Sequence, residues 1–137
     1  MKKYLTLLIF MLVTGFCYSQ TLAIKKQQEW LQGKEEFFVG KPFSQLYDSL
    51  KIKPVSVWGG GAHWNRFVEA NHKFFYVDTA NYTNTTTYFY IEWTEPIPET
   101  ETQKYQNDTY RLFNAQEYPT YANRIIRRLV VYTPWLQ

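Results

Sequence analysis

The chain has a single cysteine, six glycines and six prolines in 137 residues, and no low-complexity tract. One cysteine excludes a disulfide scaffold, and so little glycine and proline excludes collagen-like sequence and a turn-dominated disordered polymer. Charge of one sign is also lacking: 15 Lys and Arg stand against 12 Asp and Glu. What is abundant is aromatic: Trp 5, Tyr 12 and Phe 10, spread along the whole chain. Aromatic and aliphatic residues recurring at this density, in a chain this short, define one small globular domain.

Met1-Lys2-Lys3 is a positive start, Tyr4 to Phe16 an uncharged and mostly apolar run, and Cys17-Tyr18-Ser19 places small residues at alternate positions. This is the order of a secretory signal peptide, and the run is too short for a spanning helix of about 20 residues. Residues 1–19 are therefore expected to be removed and residues 20–137 to form one exported domain, periplasmic or secreted. The competing reading is a lipoprotein anchored through Cys17. There Phe16 is bulky where a lipoprotein signal carries a small residue. The mature chain would contain no cysteine and be close to neutral, with 13 basic and 12 acidic groups once Lys2 and Lys3 are gone. Its core alone must hold it together. Neither net charge nor compartment suits a nucleic-acid partner, and the mature chain has no apolar run of transmembrane length.

Residues 20–32 are expected to be helical, with Leu22, Ala23, Ile24, Trp30 and Leu31 as a narrow apolar stripe and Gly33 as the stop. Pro42 opens a second helix, since its fixed φ fits a first turn and its missing N–H has no partner there. Phe43, Leu46, Tyr47 and Leu50 then mark one face of two turns. From Val55 the pattern turns to strands, at Val55–Trp58, Trp64–Glu69, Lys73–Asp78 and Thr86–Trp93, all rich in aromatic and β-branched residues. Gly59-Gly60-Gly61 is expected to break the first of them, and Thr79–Asn84 to form a hairpin loop. Phe74 and Tyr76 face one way, Phe75 and Val77 the other, so that helices cover one face and something else shields the second.

Glu95-Pro96-Ile97-Pro98 is expected to stop the strand, residues 99–108 to be loop, and Thr109–Gln116 to be a short helix capped by Asn107 or Asp108. The last apolar run, Ile125 to Tyr132, also fits a helix through Ala122, Ile125, Ile126 and Leu129. Its β-branched density and Pro134 favour a strand. The fold class expected is α+β: one or two N-terminal helices packed on an antiparallel sheet of four to five strands.

The helix start Gly40-Lys41-Pro42-Phe43-Ser44, followed by an antiparallel meander, resembles small uncharacterised secreted bacterial proteins with a Gly-Lys-Pro-Phe helix start. More distantly it is similar to the helix-plus-sheet modules of SmpA/OmlA-type outer-membrane lipoproteins and of beta-lactamase inhibitory protein. The resemblance covers Phe38 to Ile52. It implies a protein-binding module with no enzymatic activity, and it assigns no functional residue.

The candidate binding segment is Trp58, Gly59, Gly60, Gly61, His63, Trp64 and Arg66, where glycines permit close backbone approach and the other side chains offer stacking and polar contacts. It lacks the Gly-Lys-Ser/Thr ending of a phosphate loop. The bland alternative is a hairpin connection whose tryptophans fold back onto the sheet. His63, Glu69 and His72 match no metal-ligand spacing, and strict alternation puts Glu69 and His72 on opposite faces, so no metal and no cofactor is expected. Glu92, Glu95, Glu99 and Glu101 are the carboxylates available to a small hydrolase, but the last three fall in a proline-broken acidic stretch. There is no Gly-x-Ser-x-Gly elbow. Arg124, Arg127 and Arg128 read best as charge guarding an edge strand. Asn81-Tyr82-Thr83, Asn84-Thr85-Thr86 and Asn107-Asp108-Thr109 read as turn composition rather than glycan acceptors. The function these features point to is an exported, non-enzymatic envelope protein that binds another protein through exposed aromatics. The alternative is a carbohydrate-binding module using Trp58, Trp64 or Trp93.

Overall fold

The computed structural model describes residues 21–62, 65–77, 86–105 and 112–134. Helix α1 covers 21–32 and ends at Gly33. Two short helices follow, α2 (Glu35–Phe38) and α3 (Phe43–Ser49), and then the strands β1 (Ser56–Ala62), β2 (Asn65–Phe75) and β3 (Tyr88–Pro98). After β3 come α4 (Glu99–Thr102), a 3₁₀ turn (Gln103–Tyr105), α5 (Tyr118–Ala122) and β4 (Ile126–Tyr132). The strands form one antiparallel sheet in the order β1-β2-β3-β4, a meander in which each strand pairs with its sequence neighbour. The fold is α+β, with N-terminal helices and a four-stranded antiparallel sheet.

The helices lie on the sheet face that carries Val57, Phe74, Phe89, Ile91 and Leu129, and Leu31, Phe38, Phe43, Leu46 and Leu50 meet it from the helical side. Phe43 occupies the centre. Its ring stacks on Phe74 at 4.9 Å and meets Trp93, Tyr121 and Phe113 at 5.8, 6.2 and 6.4 Å. Pro42 is the N-cap of α3 in extended conformation (φ −67°, ψ 148°), one position before the first turn expected for it, and Gly40, two residues earlier, takes the left-handed φ of 78° that a side chain would resist. α1 does not bury its expected apolar stripe: Leu31 is buried and Ile24 half-buried, but Leu22, Ala23 and Trp30 are exposed, because the helix turns a face carrying two glutamines to the core. Gln27 and Gln28 are buried, and the Gln27 amide both donates to the Ile52 carbonyl and accepts from the Ile52 N–H, each at 2.8 Å. Gln27 Nε2 also reaches the Tyr76 hydroxyl at 3.1 Å.

Four departures from the sequence reading have local causes. Gly59-Gly60-Gly61 does not break β1, which runs through them to Ala62; none of the three needs a positive φ. Trp64–Glu69 and the following run are not two strands: β2 is continuous over eleven residues, with a register irregularity between Glu69 and Asn71. Prolines 96 and 98 do not end β3, because Asn71 pairs with Glu92 and Glu69 with Ile97; Glu95 and Pro96 sit in the extra length where no ladder donor is required. Residues 99–105 are helical rather than loop, and residues 112–117 are not helical. The Asn114 side chain accepts from the N–H groups of Gln116 and Glu117 at 2.9 and 3.0 Å, closing a turn that leads into α5. The loop expected at Thr79–Asn84 and the caps Asn107 and Asp108 lie outside the described residues.

The choice of a strand for the last apolar run holds, and β4 is an edge strand as the arginines suggest. Its beginning is covered locally, by Gly40 and Lys41 bonded to Ile126 at 2.8 and 3.0 Å, and Glu35 Oε1 accepts from the Val131 N–H at 3.3 Å.

Candidate functional site

The glycine segment is one strand of a hairpin arm. β3 reaches β2 only as far as the Val68–Pro98 pair, so Asn65, paired with Ala62, is held by β1 alone, and Arg66 and Phe67 fall in the irregular stretch between the Asn65 and Glu69 pairs. The register there is irregular, passing from Gly60–Asn71 to Gly61–Glu69 and then to Ala62–Asn65. Trp58 stands at the base of the arm, 44 % exposed, and Phe67 stands near its end, 63 % exposed. Arg66 lies in β2. His63 and Trp64 lie outside the described residues. The sequence singles out no role for Phe67, since an aromatic residue within the strand Trp64–Glu69 is ordinary strand composition.

Glycine is needed in β1 because of what lies over it. A Cβ on Gly59 would sit 2.5 Å from the Cδ and Oε1 of Glu69. A Cβ on Gly60 would collide with the side-chain oxygen of Asn71, whereas one on Gly61 would meet nothing closer than the Val68 carbonyl at 4.0 Å. The space above Gly59 is filled by a carboxylate that reaches inward. Glu69 Oε2 lies 2.7 Å from His72 Nε2, and His72 Nδ1 lies 2.7 Å from Trp93 Nε1. The indole N–H is only a donor, so Nδ1 accepts and, in the neutral ring, Nε2 carries the proton and donates to Glu69. The expectation that Glu69 and His72 face apart is therefore corrected: the irregularity at residues 69–71 returns both to the core face.

The relay continues through rings. Tyr121 meets His72 edge-on at 4.9 Å and stacks on Trp93 at 5.8 Å, and its hydroxyl donates to Glu117 Oε1 at 2.7 Å. His72, Tyr121 and Glu117 are all buried, as is Trp93. Trp93 is thus excluded as a sugar-stacking platform. With its ring enclosed and both nitrogens engaged, His72 ties the base of the arm to the core. Among the described residues, no group of three or more His, Cys, Asp or Glu is placed to hold a metal ion.

The other face of the sheet carries a row of aromatics across the strands. Trp58 packs edge-on against Phe75 at 5.6 Å, Phe75 lies 5.4 Å from Tyr88, and Tyr88 stacks on Tyr132 at 4.8 Å. Lys73, opposite Trp58, lies 5.2 Å from the Tyr88 ring centroid. These cross-strand pairs bury Phe75 on the face away from the helices. Beside them the Tyr90 hydroxyl donates to Glu92 Oε1 at 3.1 Å, and Arg128 approaches the same oxygen at 3.4 Å. Burial first, and then the Glu92 bond and charge, push the Tyr90 phenol up to about 12. Glu92 is thereby engaged on this face. Glu95 and Glu101 instead line a separate cleft of about 450 Å³ with Thr94, Thr120 and Arg124. Arg124 pairs with Glu101 there at 2.7 Å.

No protein-family model, no curated protein and no solved structure matches this chain. No helix among the described residues is long and apolar enough to cross a membrane.

Proposed function

We propose that the chain is an exported, non-enzymatic envelope protein that binds another protein through the β1–β2 hairpin arm. The observation that carries this reading is Phe67, a large apolar side chain 63 % exposed in β2 beyond the last β2–β3 pair, Val68–Pro98. Trp58 extends the same aromatic character to the base of the arm, and aromatic residues concentrate binding energy where a partner can desolvate them. The Glu69–His72–Trp93 bonds supply a rigid footing, which lowers the ordering cost of association. Export rests on the lysine-led apolar segment and its small-residue close.

The test is affinity capture from an envelope extract, with the processed chain as bait beside its Phe67→Ser and Trp58→Ala variants. A protein retained by the first and lost by the variants, at unchanged thermal midpoint, is the expected outcome. Equal retention by all three removes the arm from the account. A second reading draws on the exposed Trp58 indole, which offers a face to a sugar ring. Soluble glycans would then shift tryptophan fluorescence, and Trp58→Phe would abolish the shift.

A further inference from the structure

A groove that shares no lining residue with the arm has a composition that the protein-binding reading does not use. It lies between α1 and the segment that follows α3, has a volume of about 480 Å³, and is lined by Ala23, Lys26, Gln27, Trp30, Lys51 and Ile52 among others. Ala23, Lys26, Gln27 and Trp30 recur at i, i+3, i+4 and i+7, one face of the helix. The paired 2.8 Å bonds between the Gln27 amide and the Ile52 backbone hold the two walls at fixed separation. Trp30 is 40 % exposed, with its ring 6.4 Å from the buried Phe38. Lys34 Nζ lies 5.4 Å from the same indole.

Among the described residues the exposed lining is mostly apolar surface, its only charged groups are the two lysines, and no acidic side chain takes part. Apolar walls of this size suit a small ligand. Ammonium groups with no lining carboxylate call for an anion, and a groove that must satisfy both calls for an amphiphile with one charged end. A bilayer surface would instead require the apolar groups to project outward from the helix. Here Gln27 is buried and Ile52 half-buried, a recess that receives a single chain, while Trp30 and Leu22 of the same helix are 40 and 42 % exposed, so a vesicle titration separates the two occupants.

We infer that this groove binds a monomeric fatty carboxylate, its alkyl chain along Ala23, Trp30 and Ile52 and its head group between Lys26 and Lys51. The site is independent of the hairpin arm. The experiment is calorimetric titration of the processed chain with decanoate below its micelle concentration. Parallel titrations use decyltrimethylammonium, with the same chain and the opposite charge, and phosphatidylglycerol vesicles. The expected result is saturable 1:1 binding of decanoate, weakened about tenfold or more by Lys26→Glu/Lys51→Glu and by Trp30→Ala, each about 1.4 kcal/mol or more. Both lysines and Trp30 are at the surface, and an unchanged thermal midpoint establishes that the variants fold. Equal binding of the ammonium amphiphile, unchanged affinity in the variants, association with vesicles alone, or no binding of decanoate would each overturn the assignment.

Discussion

Gly59→Ala is the substitution in which the architecture of the arm is most exposed to refutation. In a strand, replacing glycine by alanine ordinarily gains about 0.5–1 kcal/mol, because the unfolded chain loses freedom it no longer has to give up. At Gly59 the new methyl would stand 2.5 Å from the Glu69 carboxyl carbon. That carboxyl is the end of a flexible side chain, so the collision itself is relieved by rotation. The cost lies in what rotation breaks: the 2.7 Å bond to His72, a buried bond of the charged kind worth about 1.5–3 kcal/mol. The net expectation is destabilisation by about 1–2 kcal/mol. Gly61→Ala, with only a carbonyl at 4.0 Å, should stabilise by about 0.5–1 kcal/mol. Gly60→Ala should lie between, since the half-exposed Asn71 amide can swing toward water. Urea unfolding of the three variants gives the order directly. Repeating Gly59→Ala in a Glu69→Ala background should turn its effect favourable, a coupling of about 1.5–3 kcal/mol. If Gly59→Ala stabilises the parent protein as Gly61→Ala does, the glycines are not making room for Glu69 and the reasoning fails.

Other perturbations reach the core. Burial holds the Tyr76 phenol up at about 12 against an ordinary value near 10, the bond from Gln27 opposing it. The folded state thus favours the protonated phenol: this contribution is intact below pH 10 and is lost as pH rises from 10 through about 12, by about 1.3 kcal/mol at pH 11. Tyr76→Phe should flatten the alkaline limb of a stability–pH curve by that amount, and an unchanged limb would reject the assignment. Phe43→Ala, at the centre of the aromatic cluster, should cost about 3–5 kcal/mol in urea unfolding; a cost below 1 kcal/mol would mean the core is not built around it. Trp93→Phe keeps an aromatic ring but removes the donor to His72 Nδ1 and part of a buried indole, with an expected cost of at least about 1–3 kcal/mol from the lost bond alone. Equal stability of that variant would show the relay to be dispensable.

The sequence was most legible where local rules and packing agree. Pro42 with Phe43, Leu46, Tyr47 and Leu50 announces α3 because cap chemistry and periodicity coincide there, and Phe43, Leu46 and Leu50 are indeed buried. The final strand was legible through β-branching despite a competing helical spacing. Legibility failed wherever a register irregularity intervened. Glu69 and His72 are three residues apart, which strict alternation sends to opposite faces, yet the irregular pairing before Asn71 joins them at 2.7 Å. The same mechanism carried β3 past two prolines, because Glu95 and Pro96 fall in the extra length. Glycine composition suggested a loop, whereas the partner strand needed the space. Buried Gln27 and Gln28 were hidden from any hydropathy argument, for their partners Ile52, Tyr76 and Tyr88 are distant in sequence. Of the candidate segment, Trp58 and the three glycines lie on a strand where glycine composition had suggested a connection, and Trp58 is exposed there.

The binding role of the arm is tested most directly by site-specific photo-crosslinking in the intact envelope. A photoreactive phenylalanine analogue would replace Phe67, with Lys104, exposed on the 3₁₀ turn, as the control position. One discrete protein adduct from position 67 and none from position 104 is the expected result. Identical adduct patterns from the two positions, or no adduct from position 67, would contradict it.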